Sequence, residues 1–178
     1  MIGNDLVYLP NWKRRSGDRL SRFRQKIYTQ RERNWIEAAD DPFLLEAKFW
    51  AVKEAVYKSW FKKYRERIFK PKSISIEAFK VSEEEFVFQV EIGNLRFKSI
   101  CRKDGNYIHA TAIELNEDLE FSSLYESYQS APRAINFKSQ KITLQKDSSR
   151  VPYGLYKGRK LDVSMSHDGD LRAVVWRV

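Results

Sequence analysis

Periodicity divides the chain into a mixed start, an alternating middle and an alternating end. Residues 2–9, IGNDLVYL, form a short apolar run closed by Pro10, which predicts a first strand. From Gly17 the period becomes helical, with Leu20, Phe23 and Ile27 on one face. Thr29 followed three residues later by Glu32 is a capping box and predicts a second helix to about Ala39. Asp41 and Pro42 mark a third helix start, since the fixed φ of proline suits the first helical position. Along this helix Leu45, Phe49, Val52, Val56 and Trp60 recur every three or four residues, which predicts one continuous buried stripe.

After Pro71 the pattern alternates. SISIEAF, FVFQVEI, LRFKSI and YIHATAIEL, punctuated by Gly93-Asn94 and Asp104-Gly105-Asn106, predict an antiparallel meander. Residues 116–140 mix polar and aromatic positions without a period and read as a loop with a short helix. KITLQ is a further strand, Ser148-Ser149 a break, and LDVSMS and LRAVVWRV are two C-terminal strands joined by HDGD. No repeat or low-complexity linker is visible, so the expectation is one α+β domain over residues 1–178, with helices packed on an antiparallel sheet.

A chain of 178 residues buries roughly 70% of the surface its unfolded form exposes, enough to fold without staples. With 42% hydrophobic residues and no apolar run of membrane-spanning length, it reads as soluble. MIGNDLVYLP carries no basic and then apolar leader, and Cys101, the one cysteine, excludes an internal disulfide and cysteine-based metal sites. Both features lead to an expectation of the cytoplasm. The net charge of +9 calls for a polyanionic partner: nucleic acid, a phosphorylated small molecule or an acidic protein. Much of that charge lies early, in Arg14, Arg15, Arg19, Arg22, Arg24 and their neighbours.

The third helix also carries Lys53, Glu54 and Lys58. Glu54 and Lys58 are one turn apart, about 200° around the helix from Val52, and alone would be an ordinary surface pair. Asp5 changes that reading, because a carboxylate inside an apolar strand needs a partner. Asp5 and Glu54 together could offer Mg²⁺ two hard oxygen ligands, with Lys53 and Lys58 as point charges for phosphates. Ser166 and His167 add a polar pair at the end of a strand.

GNDLV (3–7), FWAVKEAVYKS (49–59) and VSMSHDGD (163–170) together resemble the signatures of the 4'-phosphopantetheinyl transferases. Those signatures are G-x-D beside a strand, [FW]-x-x-K-E-[AS]-x-x-K on a helix and S-x-S-H at a strand end. Their order is that of the small, holo-acyl-carrier-protein-synthase type. The resemblance implies a 4'-phosphopantetheinyl transferase-like fold and transfer of phosphopantetheine from coenzyme A to a serine of an acyl or peptidyl carrier protein. It implies Asp5 and Glu54 as Mg²⁺ ligands, Lys58 on a phosphate, and Ser166 and His167 towards the 3'-phosphate end of coenzyme A. Lys53 would be a phosphate or structural contact, and Glu54 the candidate base. The carrier's acidic helix would dock on the basic patch, with Arg14, Arg15, Arg22 and Arg24 as candidates.

Three departures stand out. Asn4 replaces an aliphatic residue, Val7 stands where larger relatives have a second acid, and Glu54 and His167 are 113 residues apart, far more than in the small type. Small-type enzymes build each site across a subunit boundary in a homotrimer, and the added segment could keep that trimer, alter it or supply the missing wall within one chain. Two alternatives remain open from the sequence. One is a basic nucleic-acid-binding module using Trp12, Phe23, Tyr28 and Trp35 for base stacking; the other is a coenzyme A binding homologue without transfer.

Overall fold

The computed structural model describes residues 1–13, 17–66, 70–82, 85–115, 122–127, 134–137 and 140–177. Strand β1 (Ile2–Tyr8) leads into four helices, α1 (Leu9–Lys13), α2 (Gly17–Ile27), α3 (Gln30–Glu37) and α4 (Pro42–Tyr64). A 3₁₀ turn (Pro71–Ser73) then opens β2 (Ile74–Val81), β3 (Glu85–Ile92), β4 (Leu95–Asp104) and β5 (Tyr107–Glu114). These strands form an antiparallel sheet in the order β1-β5-β4-β3-β2, the expected meander with β1 added at its edge.

A second antiparallel sheet holds β6 (Ser122–Ser127), β7 (Ala134–Phe137), β8 (Gln140–Lys146), β9 (Pro152–Tyr156), β10 (Arg159–Asp168) and β11 (Leu171–Arg177), in the order β6-β11-β10-β9-β8-β7. The α+β class and the helices on an antiparallel sheet are as expected. The loop with a short helix expected over 116–140 is corrected: the described residues there form two strands, β6 and β7. β6 gains its backbone partners from β11, a long-range pairing that local periodicity does not report, whereas β7 pairs with the next strand, β8, from Phe137 opposite Gln140. Pro10 does more than close β1, because it sits in the first turn of α1.

The caps act as their residue types dictate. Thr29 accepts from the backbone N–H of Glu32, whose carboxylate accepts in return from the Thr29 N–H. Asp41 Oδ1 accepts from the Leu44 N–H at 3.0 Å ahead of Pro42. Glu32 does a second job, accepting at Oε1 from the Ile76 N–H at 2.8 Å and pairing with Lys53 at 2.9 Å.

The expected stripe of α4 is present but too narrow. Leu45, Phe49, Val52 and Val56 are buried and Trp60 is half-buried, while Ala47, Ala51, Ala55 and Ser59 are buried as well. Small residues on these further faces let α4 sit deep against β1 and β5. Gly3 sets the closest approach: a Cβ there would stand 2.0 Å from the Ala55 carbonyl oxygen and 2.6 Å from the Ser59 nitrogen.

The free edge of β1 faces β10, and the two meet without a backbone ladder. The N–H groups of Ile2, Asn4, Leu6 and Tyr8 donate to the side chains of Asp162, Ser164, Ser166 and Asp168, at 3.0 Å for both serines and 2.7 Å for Asp168. The alternate residues Leu161, Val163 and Met165 turn the other way, into the core of the second sheet. From above, Lys58 and Lys62 of α4 donate to the carbonyls of Asn4 and Ile2. Four helical residues rise about 6 Å and two strand residues about 6.8 Å, so consecutive helix turns match alternate strand carbonyls.

Two substitutions test this framework. Gly3→Ala should destabilise the protein by about 3 kcal/mol, at the upper end for overpacking, since the clash is with backbone. Ser164→Ala should cost about 1–3 kcal/mol by orphaning the buried Asn4 N–H. Urea unfolding of both against the parent chain measures each.

Candidate active site

β1 delivers Asp5 and α4 delivers Lys58 to one point. Lys58 Nζ donates to Asp5 Oδ1 at 2.8 Å, to the Asn4 carbonyl at 2.9 Å and to Ser166 Oγ at 3.2 Å. Three N–H bonds are all that an ammonium has, so a phosphate contact requires Lys58 to exchange one of them. Ser166 is equally committed. Its hydroxyl accepts from the Leu6 N–H and from Lys58, and donates its single proton to Asp5 Oδ1 at 2.9 Å. Its role in this geometry is to fix Asp5 and Lys58, and it has no donor left for a coenzyme phosphate.

Two depressions meet at Asp5. The larger, about 470 Å³, is lined by Asp5, Lys58, Lys62, Lys146, Arg150, His167 and Arg172 among others. The smaller, about 270 Å³, is lined by Asp5, Trp12, Trp50, Glu54, His167 and Asp168. The exposed His167 belongs to both walls, which suits it to a ligand spanning them.

Glu54 is half-buried and has no hydrogen bond or ion pair among the described residues. Burial, and then the charge of Asp5, push its carboxyl up to about 7, against a smaller opposing effect of Lys58. A cation shared by the two carboxylates would relieve that repulsion. Asp5 keeps Oδ2 for such a ligand, since its contacts with Lys58 and Ser166 fall on Oδ1. Among the described residues no group of three or more His, Cys, Asp or Glu forms a fuller ligand shell. Two carboxylates with water and substrate oxygens fit Mg²⁺, which needs few protein ligands.

Lys53, the remaining predicted cation, is not at the site. It is fully buried on another face of α4, paired with Glu32 and donating to the carbonyls of Pro71 and Ile74. Of the two roles expected for it, phosphate or structural contact, these partners make it structural: it ties α3 and the start of β2 to α4. Burial lowers its pKa, with the Glu32 charge opposing.

Asn4 links this point to a residue that sequence reasoning missed. Its Nδ2 lies 3.1 Å from His109 Nε2 and donates to the Ala173 carbonyl at 3.2 Å. Burial, with help from the Lys58 charge, pushes His109 down to about 3, so it stays neutral and can accept from Asn4. The missed capping residues Asp162, Ser164 and Asp168 carried a faint signal, the strict alternation of LDVSMSHD, and Lys62 on α4 carried none. Lys146, Arg150 and Arg172 carried none.

Of the predicted docking arginines, Arg14 and Arg15 lie outside the described residues, and Arg22 is exposed on α2. Arg24 makes a bidentate pair with the buried Glu46, at 3.0 and 2.9 Å, that fastens α2 to α4. The proposed stacking aromatics are core instead: Trp12 and Tyr28 are buried, and Phe23 and Trp35 pack against the same cluster. Among the described residues no helix is long and apolar enough to cross a membrane.

No curated protein matches the chain. A family model, the 4'-phosphopantetheinyl transferase superfamily, matches residues 1–112, which span β1, the four helices and the meander up to Ala112. By that match over more than half its length, the chain belongs to the 4'-phosphopantetheinyl transferase superfamily.

Proposed function

We propose that the chain transfers 4'-phosphopantetheine from coenzyme A to a serine of an acyl or peptidyl carrier protein, as a holo-acyl-carrier-protein-synthase-like enzyme dependent on Mg²⁺. The observation that carries this reading is the half-buried, unpartnered Glu54 beside Asp5, in the smaller, acidic depression that meets a larger one rich in cations at Asp5. Asp5 and Glu54 would hold the metal, which when bound neutralises charge on the pyrophosphate.

The chain's own residues do the rest. The carrier serine oxygen attacks the β-phosphorus of coenzyme A, the bond from that phosphorus to the bridging oxygen breaks, and the electron pair leaves on 3',5'-ADP. The serine proton would go to Glu54, directly or through a water, since no hydrogen bond or ion pair among the described residues engages its carboxylate. Lys58, held by Asp5 and Ser166 against the end of the larger depression, supplies positive charge where phosphoryl oxygens gain negative charge. His167 faces both depressions and is placed to contact the donor.

Exposed Arg22 on α2 suits an acidic carrier helix, whereas Arg24 is already committed to Glu46. Both walls of the larger depression come from one chain, which favours a protomer that works without a shared trimer site. A buried Cys101, with burial pushing its thiol up to about 12, suits a cytoplasmic setting in which no disulfide is needed.

Incubation with apo-carrier protein, coenzyme A and Mg²⁺ should add the phosphopantetheine mass to the carrier. EDTA should abolish the gain, and Asp5→Asn or Glu54→Gln should slow it about 100-fold or more. No mass gain with several carriers overturns the reading.

The elevated Glu54 also makes a stability prediction. Its carboxyl titrates near 4.5 when unfolded and about 7 when folded, so between these values the folded state holds the extra proton. Stability is therefore lost as pH rises from 4.5 through 7. In metal-free protein, Glu54→Gln should raise Tm by several degrees at pH 8 and leave it nearly unchanged at pH 4.5. Thermal melts in EDTA at the two pH values check this, and equal shifts at both would contradict it.

A further inference from the structure

His167 lines both depressions, but its side chain is exposed and its imidazole has no hydrogen bond or ion pair among the described residues. It lies next to the tip of the β10–β11 hairpin, where Asp168 pairs with Leu171 across the two-residue turn Gly169-Asp170. The side-chain bonds from β10 to the edge of β1 end at Asp168, whose Oδ2 accepts from the Tyr8 N–H at 2.7 Å. Beyond that last bond something else must hold the tip, or the direction of the imidazole would vary with it.

Two tyrosines stand against the tip. Tyr8 and Tyr107 face each other across the last pair of the β1–β5 register, with ring centroids 4.9 Å apart and planes at 34°. Both are half-buried. Gly169 rests on them: a Cβ there would stand 3.5 Å from the Tyr107 hydroxyl oxygen and 3.5 Å from a Tyr8 ring carbon. The backbone N–H of Asp170 donates to the same Tyr107 hydroxyl. Gly169 has φ +58°, so the tip meets the rings in a conformation that glycine adopts most readily. The base of the pair is fixed as well, because the Leu9 N–H donates to the Asn106 carbonyl at 2.8 Å and ties the start of α1 to the residue before Tyr107. Neither tyrosine is among the described residues that line the two depressions, so an effect on a ligand there must pass through the hairpin.

We propose that Tyr8 and Tyr107 are positioning residues for His167: the ring pair seats the hairpin tip and thereby sets where the imidazole stands between the two depressions. A side chain that contacts a ligand needs neighbours that lock its own element, and here the far end of the first sheet does this for a residue of the second. The ring pair thus tunes the hold on the donor without touching it. The donor's identity rests on the transferase reading, whereas the seating of the hairpin does not.

The test is a double-mutant cycle on the full chain, read by coenzyme A titration calorimetry with Mg²⁺ present and by steady-state transfer. Tyr107→Ala and His167→Ala should each weaken coenzyme A binding about tenfold, the size of one good polar contact. The double variant should be no weaker than His167→Ala alone, because the rings then have nothing left to position. In transfer assays both losses should fall on KM, with kcat kept within about twofold. Tyr107→Phe keeps the stacked ring and should retain most of the affinity. If Tyr107→Ala melts early, Gly169→Ala probes the same contact from the other side, since it strains an exposed turn and leaves both rings in place. It too should add nothing to His167→Ala. Losses that add in the cycle, or a Tyr107→Ala chain that binds coenzyme A like the parent, overturn the positioning role.

A second readout needs no donor. The chain has two histidines, so the His167 imidazole proton resonances can be assigned by their loss in His167→Ala. Tyr107→Ala and Gly169→Ala should both displace them, and unmoved resonances overturn the seating. A chain that shows these displacements but neither binds coenzyme A nor modifies a carrier overturns the transferase reading and leaves the seating in place.

Discussion

The free edge of β1 is the constraint on which the rest depends. An edge strand exposes a row of unpaired N–H and C=O groups, which proteins normally blunt or pair. Here the row is shared between two elements: β10 accepts from four alternate N–H groups through Asp162, Ser164, Ser166 and Asp168, and α4 donates to two carbonyls through Lys58 and Lys62. Because β1 is thereby bound to the first sheet, the second sheet and the central helix at once, Asp5 can sit within it at a fixed distance from side chains on all three. A backbone ladder between β1 and β10 would have satisfied the same groups. It would have brought the two sheets into one continuous surface, with no inward-facing hydroxyls to hold Asp5 and Lys58.

That arrangement sets the electrostatics of the site. Asp5 has Lys58 and Ser166 on one oxygen, whereas Glu54 shares the region with no hydrogen-bond partner among the described residues and is pushed up to about 7. The two carboxylates are therefore unequal before any ligand arrives: one is held by a lysine and a hydroxyl, the other is costly to ionise. Such inequality is a recurring sign of an acid–base or metal site, since a fold with nothing to bind would neutralise Glu54 by substitution. Neutral His109 beneath Asn4 belongs to the same economy. It accepts a hydrogen bond without adding positive charge next to Lys58, where a protonated ring would be repelled.

Much of this was legible in the chain. Capping residues Thr29, Glu32 and Asp41 mark helix starts because their side chains bond the local backbone, and β2 to β5 alternate because one face of a meander is buried. Asp5, Glu54 and Lys58 converge as the motif resemblance implies. What escaped was non-local. β6 owes its pairing to the distant β11, so its local pattern is weak. The charge of Lys53 looked like that of Lys58 in sequence, yet their position on α4 sends one to a buried glutamate and the other to the cleft. Ser166 sits in a signature that suggested ligand contact, but the alternation of Asp162, Ser164, Ser166 and Asp168 marks an edge-capping face, which a single sequence presents as an ordinary polar strand face.

The segment beyond residue 112 acquires a physical rationale from the same geometry. A site shared between subunits must meet the translational and rotational cost of association, and it exists only while the oligomer does. Carrying the second wall on the same chain replaces that cost with the closure of a loop, which grows only slowly with length. The tether is tightened at two places, by the side-chain edge of β10 on β1 and by the Asp147–Arg65 pair at the end of α4. Both ends of the wall are thereby pinned, one to the helix that carries Glu54 and Lys58 and the other to the strand that carries Asp5, so the depression is held together by contacts within the chain.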